Sequence, residues 1–148
     1  TSDRMLLYHL GSKDELVVEI IRCSLERSLN QLLALPAAGS PGAAVHDQWR
    51  LWTSPRQAQC ERIYVEASTL GLFGREPYAS SINAANDEWM AAMRAHLAAS
   101  GVPSARLEQV ALLVDAAFMG FELDLPLGAE DVARGVAALA EAVDALCR

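Results

Sequence analysis

An all-α fold, a bundle of helices, is what this sequence predicts, and three observations predict it. Apolar residues recur at three- and four-residue steps along most of the chain, and no stretch shows the strict alternation of a half-buried strand. The six prolines and nine glycines gather at a few places, which divides the chain into long segments with short connections. Hydrophobic residues make up 52% of the 148, enough for one domain with its own core and too many for a disordered chain.

The first well-marked helix starts at a capping box, Ser12-Lys13-Asp14-Glu15. The Ser12 hydroxyl can accept from the Glu15 backbone N–H, while the Glu15 carboxylate reaches back to the Ser12 N–H. Asp14 adds negative charge at the positive end of the helix dipole, and Gly11 allows the sharp turn just before. Leu16, Val17, Ile20, Ile21, Leu25, Leu29, Leu32 and Leu33 then mark one apolar face up to about Leu35, where Pro36 stops the helix. Such a rod is roughly 34 Å long.

Residues 36–43, PAAGSPGA, read as a loop. A helix over about 43–53 follows, with Val45, Trp49 and Trp52 along one side. Thr53 or Ser54 can cap the next helix, about 55–72, and Pro55 suits its first position. Gly71 and Gly74 loosen the chain after it. A long helix over 77–99 carries Ile82, Trp89, Met90, Met93 and Leu97, and Gly101 and Pro103 close it. From Ser104 to about Leu125 apolar residues nearly surround the helix, which predicts burial on several sides. After the break at 126–128, a last helix over 129–147 places Val132, Val136, Leu139, Val143 and Leu146 on a heptad-like seam flanked by alanines. The final two helices thus read as built for close helix-on-helix packing.

Composition narrows the function classes. A formal net charge of −7 argues, taken alone, against a nucleic-acid-binding chain. Over residues 1–28 the balance is gentler, with Arg4, Lys13, Arg22 and Arg27 set against Asp3, Asp14, Glu15, Glu19 and Glu26. No apolar run approaches the roughly 20 residues of a membrane span, and no secretory leader is expected at the start. Cys23, Cys60 and Cys147 lack the close spacing of a zinc or redox motif and suit a reducing cytoplasm. His9, His46 and His96 are scattered, no serine sits in an elbow motif, and neither GLFG nor GREP is a phosphate-cradling loop. No catalytic set, metal or cofactor is therefore expected.

The opening stretch, TSDRMLLYHLGSKDELV, resembles the end of the DNA-binding module in the tetracycline-repressor (TetR) family of bacterial transcription regulators. Members of that family commonly show an aromatic-rich recognition helix, a turn residue, then Ser-Lys and a carboxylate-rich helix start. Tyr8, His9 and Gly11-Ser12-Lys13 match in place, while Leu7 and Leu10 stand where many members have tyrosine and phenylalanine. The resemblance is specific over about residues 2–20; beyond that only the architecture agrees.

The resemblance implies a remnant helix-turn-helix domain over 1–12, a linking helix over 13–35 and a ligand-binding and dimerisation domain over 36–148. It also implies two further helices ahead of the recognition helix, so the 148 residues alone are not expected to bind DNA well. Thr1, Ser2, Arg4 and Met5 would lie toward the groove, Tyr8 and His9 would face phosphate or base edges, and Lys13 would sit against the DNA backbone beside free helix-start N–H groups. A mostly apolar effector pocket is implied for the middle helices, with Trp49, Trp52, Tyr64, Phe73, Tyr78, Trp89, Met90, Met93, Phe118 and Glu122 as candidates. Glu122 is expected to point to solvent or to Arg and Tyr neighbours, with orienting a polar or cationic ligand as the sharper alternative. A homodimer interface is implied for Leu112, Leu123, Val132, Val136, Leu139, Val143 and Leu146; the lesser alternative is that these helices are the chain's own core. The function so implied is that of a cytoplasmic repressor released from operator DNA by a small molecule. The alternative is an all-helical ligand-binding or interaction module with no DNA role.

Overall fold

A computed structural model describes residues 11–148, without the side chains of 56–61. Six helices are found among the described residues, and no strand: α1 (Lys13–Leu33), α2 (Pro41–Trp52), α3 (Pro55–Leu72), α4 (Tyr78–Ala99), α5 (Ser104–Asp124) and α6 (Ala129–Leu146). The boundaries follow local chemistry. At the head of α1, Gly11 takes a φ of 81°, and the Glu15 N–H donates to Ser12 Oγ at 3.1 Å.

Helix α2 begins two residues earlier than the sequence reading placed it. Ser40 is extended and its Oγ accepts from the Ala43 N–H at 3.1 Å, with Pro41 at the first helical position. The surrounding glycines and alanines made this start look like loop.

The helices divide into two compact units. One takes the described residues up to Asn30 together with Ser54–Trp89; the other takes Gln31–Thr53 and Met90–Arg148. The boundaries at Asn30 and Trp89 fall within α1 and α4. Each unit is made of two stretches that are not consecutive in the chain. Helices of a bundle pair by apolar face rather than by chain order.

In the first unit the core is Ile21, Ala67, Tyr78 and Ala85, with Val17, Leu25, Ile63, Tyr64, Leu70 and Ile82 packed around it. These positions lie on one face each of α1, α3 and α4, as the helical spacing requires.

In the second unit α6 packs against both α2 and α5. Two glycines set how closely. A Cβ on Gly42 would fall 2.6 Å from Asp144 Oδ2 and 2.7 Å from the Ala140 carbonyl oxygen, so α2 and α6 meet backbone to backbone. A Cβ on Gly135 would fall 2.7 Å from the Phe121 ring, which seats in the notch this glycine leaves. Val132, Val136, Leu139 and Val143 are all buried here, alongside Val45, Leu97, Val110, Val114 and Phe118. The heptad-like seam of α6 therefore packs within this chain.

Helix α5 departs from expectation. Val110, Ala111, Val114 and Phe118 are buried, but Leu112 and Leu123 are 55% and 59% exposed. The described residues cover only one face of this helix. Leu112, Ala116, Met119 and Leu123 follow three- and four-residue steps along the other face, with Met119 half-buried and the rest exposed.

Candidate functional site

Chemistry gathers at two places, one in each unit. In the first, the start of α1 is fastened to the turn before α4. Tyr78 Oη donates to Asp14 Oδ1 at 2.7 Å, Arg75 donates to Asp14 Oδ2 at 3.0 Å, and the Arg75 guanidinium lies 5.5 Å from the centre of the Tyr78 ring. Tyr78 is buried at 4% exposure. The tyrosine hydroxyl and the guanidinium hold the Asp14 carboxyl below its ordinary range; the same hydrogen bond to Asp14 pushes the Tyr78 phenol up. Lys13, the residue before Asp14, is exposed at the first position of α1. Of the positions the resemblance assigned to DNA, it alone is described. Thr1, Ser2, Arg4, Met5, Tyr8 and His9 lie outside the described residues.

In the second unit α2 and α5 bring four aromatic rings together. The Trp49 ring lies 5.1 Å from Phe118 and 5.9 Å from Phe121, and Trp52 lies 5.6 Å from Phe118, each pair tilted or edge-on. Trp52 and Phe118 are buried, while Trp49 and Phe121 are half-buried.

Beside the rings, Gln48 occupies a core position that the sequence reading passed over. It falls between Val45 and Trp52 in helical register and is fully buried. Its amide belongs to a polar relay. His96 Nε2 lies 3.1 Å from the Pro36 carbonyl oxygen, which can only accept, so Nε2 carries the ring proton and Nδ1 is left as an acceptor. Gln48 Nε2 then donates to Nδ1 at 3.0 Å and points toward the Met93 carbonyl oxygen at 3.5 Å. The amide is thereby oriented, and Gln48 Oε1 is buried without a hydrogen-bond partner among the described residues. Ser100 supports the same corner: its hydroxyl donates to the His96 carbonyl oxygen at 2.8 Å and accepts from the Ala38 N–H at 3.0 Å.

The effector candidates read from sequence divide between the units. Trp49 and Trp52 each touch Phe118 in the second unit, and the Met93 carbonyl meets Gln48. Met90 is buried and Glu122 half-buried there. Tyr64, Tyr78 and Trp89 belong to the first unit, Tyr64 half-buried and the other two buried. Phe73 is 85% exposed on the turn after α3, as is Leu72 beside it, so Phe73 lines no interior. Among the interface candidates, Leu112, Leu123 and Leu146 face outward, whereas Val132, Val136, Leu139 and Val143 are buried within the second unit.

A small cleft of about 230 Å³ lies at the turn between α5 and α6, lined by Phe121, Asp124, Leu127, Gly128, Asp131 and Val132. Among the described residues no three His, Cys, Asp or Glu side chains are grouped to hold a metal ion. No helix among them is long and apolar enough to cross a membrane. Cys23 and Cys147 are free thiols, and burial pushes that of Cys147 up.

Compared with known proteins, the chain matches no family model, no curated protein and no solved structure.

Proposed function

We propose that this chain is the sensing body of a TetR-like transcription regulator, a repressor that a small molecule releases from operator DNA. One observation carries the reading: a Gly-Ser-Lys turn, capped through Ser12 and Glu15, heads a 21-residue helix directly after the stretch that resembles a recognition helix. Lys13 stands exposed at that helix start, where a cation beside free N–H groups suits a DNA phosphate. The aromatic cluster around Trp52 and Phe118 supplies the kind of apolar wall a small effector needs. The outward leucines of α5 and α6 fit a homodimer, which would set two recognition helices roughly 34–36 Å apart on DNA.

The test uses the full-length protein and DNA from upstream of its own gene. Mobility-shift titrations at several salt concentrations should give tight binding whose salt slope falls by about one on Lys13→Ala, with affinity lowered on all sequences alike. Absence of duplex binding under every effector condition defeats the proposal. The net charge of −7 favours a second reading, a helical ligand-binding or interaction module without a DNA role, and that reading predicts such an absence.

A further inference from the structure

We propose that Arg75, on the turn between α3 and α4, is a positioning residue for DNA: by holding the Asp14 carboxylate against that turn, it leaves Lys13 as the charge that α1 offers a phosphate. The inference rests on the reading of this chain as part of a DNA-binding regulator, and it adds a residue far from the stretch that resembles a recognition helix. Two demands collide at the head of α1. Acids in the first turn stabilise a helix start, and Asp14 and Glu15 supply them. A phosphate backbone is repelled by those same acids.

Charge decides which demand prevails. The dipole of a helix contributes roughly half a positive charge at its start. Together with Lys13 this falls short of the two carboxylates, so the head of α1 taken alone is net negative. Arg75 reverses the sign. Its guanidinium donates to Asp14 Oδ2 at 3.0 Å while Tyr78 Oη donates to Oδ1 at 2.7 Å, so both carboxylate oxygens are engaged from one side. The Glu15 carboxylate is folded back against Gly11. Farther along α1, Glu19 and Glu26 are paired with Arg22.

The turn holds Arg75 in place for this. Its N–H donates to the Leu70 carbonyl oxygen at 3.2 Å, and its own carbonyl oxygen accepts from the Ala79 N–H at 3.0 Å. Gly74, at a φ of 72°, lets the chain bend into that position. The guanidinium lies 5.5 Å from the centre of the Tyr78 ring, which is anchored in the core of the first unit. The neighbouring acid, Glu76, accepts from the Ser80 hydroxyl at 2.7 Å instead of pairing with Arg75. The Arg75 and Asp14 side chains are 53% and 34% exposed. An ion pair so open to water adds little to folding, so its consequence lies in the field at the helix start.

The experiment is mobility-shift titration of the full-length protein on DNA from upstream of its own gene, at low and at high salt. The parent is compared with Arg75→Gln, which keeps a polar head and loses the charge, and with Arg75→Gln combined with Asp14→Asn. Arg75→Gln should bind about threefold more weakly per subunit at low salt, on all sequences alike, as one unit charge roughly 7 Å from a phosphate gives in water. The deficit should fade at high salt. Adding Asp14→Asn should restore parental affinity. Equal binding by Arg75→Gln and the parent overturns the inference. So does a loss that Asp14→Asn fails to restore, because Arg75 would then touch DNA itself or merely hold the fold. In both outcomes the parent still binds, and the regulator reading stands. If the parent binds no duplex, that reading falls and takes this inference with it. Should Arg75→Gln not fold, Asp14→Asn alone decides: it should bind about threefold more tightly than the parent at low salt, and an unchanged affinity overturns the inference.

Discussion

Asp144, near the end of α6, accepts the backbone N–H of Gly42 at 2.6 Å, across 102 residues of chain. Its second oxygen lies 3.4 Å from the Ser40 hydroxyl that caps the same helix. A carboxylate from the last helix thus sits at the positive end of α2, where unsatisfied N–H groups await an acceptor.

Replacement of Gly42 therefore has a sign opposite to the usual one. In an open helix Gly→Ala stabilises by roughly 0.5–1 kcal/mol. Here the added methyl would meet Asp144 and the Ala140 backbone at under 3 Å, and backbone cannot swing aside. Gly42→Ala should destabilise by about 1–3 kcal/mol. Asp144→Ala should cost about 1–3 kcal/mol by leaving the Gly42 N–H without its acceptor. Urea midpoints of the two single variants and the double check this; the double should lose less than the sum, since Asp144→Ala removes one of the obstructing groups.

The Asp14–Tyr78 bond makes stability depend on pH at both extremes. The folded Asp14 carboxyl titrates below its unfolded value, so its contribution is present above the ordinary aspartate range and is lost as pH falls through the lowered folded value. The Tyr78 phenol titrates above its unfolded value, so its contribution is present below the ordinary tyrosine range and is lost as pH rises through the raised folded value. Tyr78→Phe should flatten the alkaline arm and move the Asp14 titration, followed by carboxyl-carbon NMR, upward toward the ordinary range. An unmoved Asp14 titration would show that Arg75 alone holds it.

Phe118 should be the costliest single truncation in the second unit. It is fully buried and touches both Trp49 and Trp52. Phe118→Ala should cost about 3–5 kcal/mol, read from the urea midpoint, with a shift in tryptophan emission as the indoles lose their neighbour.

The proposed homodimer and the fold can be separated with glutamate. Leu112 and Leu123 are exposed in the chain, so Leu112→Glu with Leu123→Glu should leave helicity and thermal unfolding nearly unchanged while light scattering reports a monomer. Val136→Glu, at 2% exposure, should instead unfold the unit. A parent chain already monomeric at micromolar concentration removes the interface.

Helix boundaries were largely legible, because each is written in a few neighbouring residues. Ser12 through Glu15, the Ser54-Pro55 start and the Gly101-to-Pro103 stop all stood out. Ser40-Pro41 repeats the Ser-Pro pair of Ser54-Pro55, although only the Ser40 side chain makes a capping hydrogen bond, and it was hidden by flanking glycines. What spacing conveys is which face of a helix is covered, not by what. The α6 seam shows this: the spacing of Val132, Val136, Leu139 and Val143 was read as a face for a partner chain, and these residues are buried within this one. Gln48 was missed because a polar letter in an apolar register is usually taken for a surface residue. Only the positions of His96 and Pro36 reveal why it is inside. The Asp144–Gly42 bond joins residues 102 apart in the chain, and no local pattern announces it.

The notch at Gly135 has a consequence for how such a sequence can drift. With the Phe121 ring seated 2.7 Å from where a β-carbon would stand, alanine at 135 is tolerable only beside a smaller residue at 121. Descendants of this chain should therefore change the two positions in concert, and lineages keeping the aromatic ring should keep the glycine.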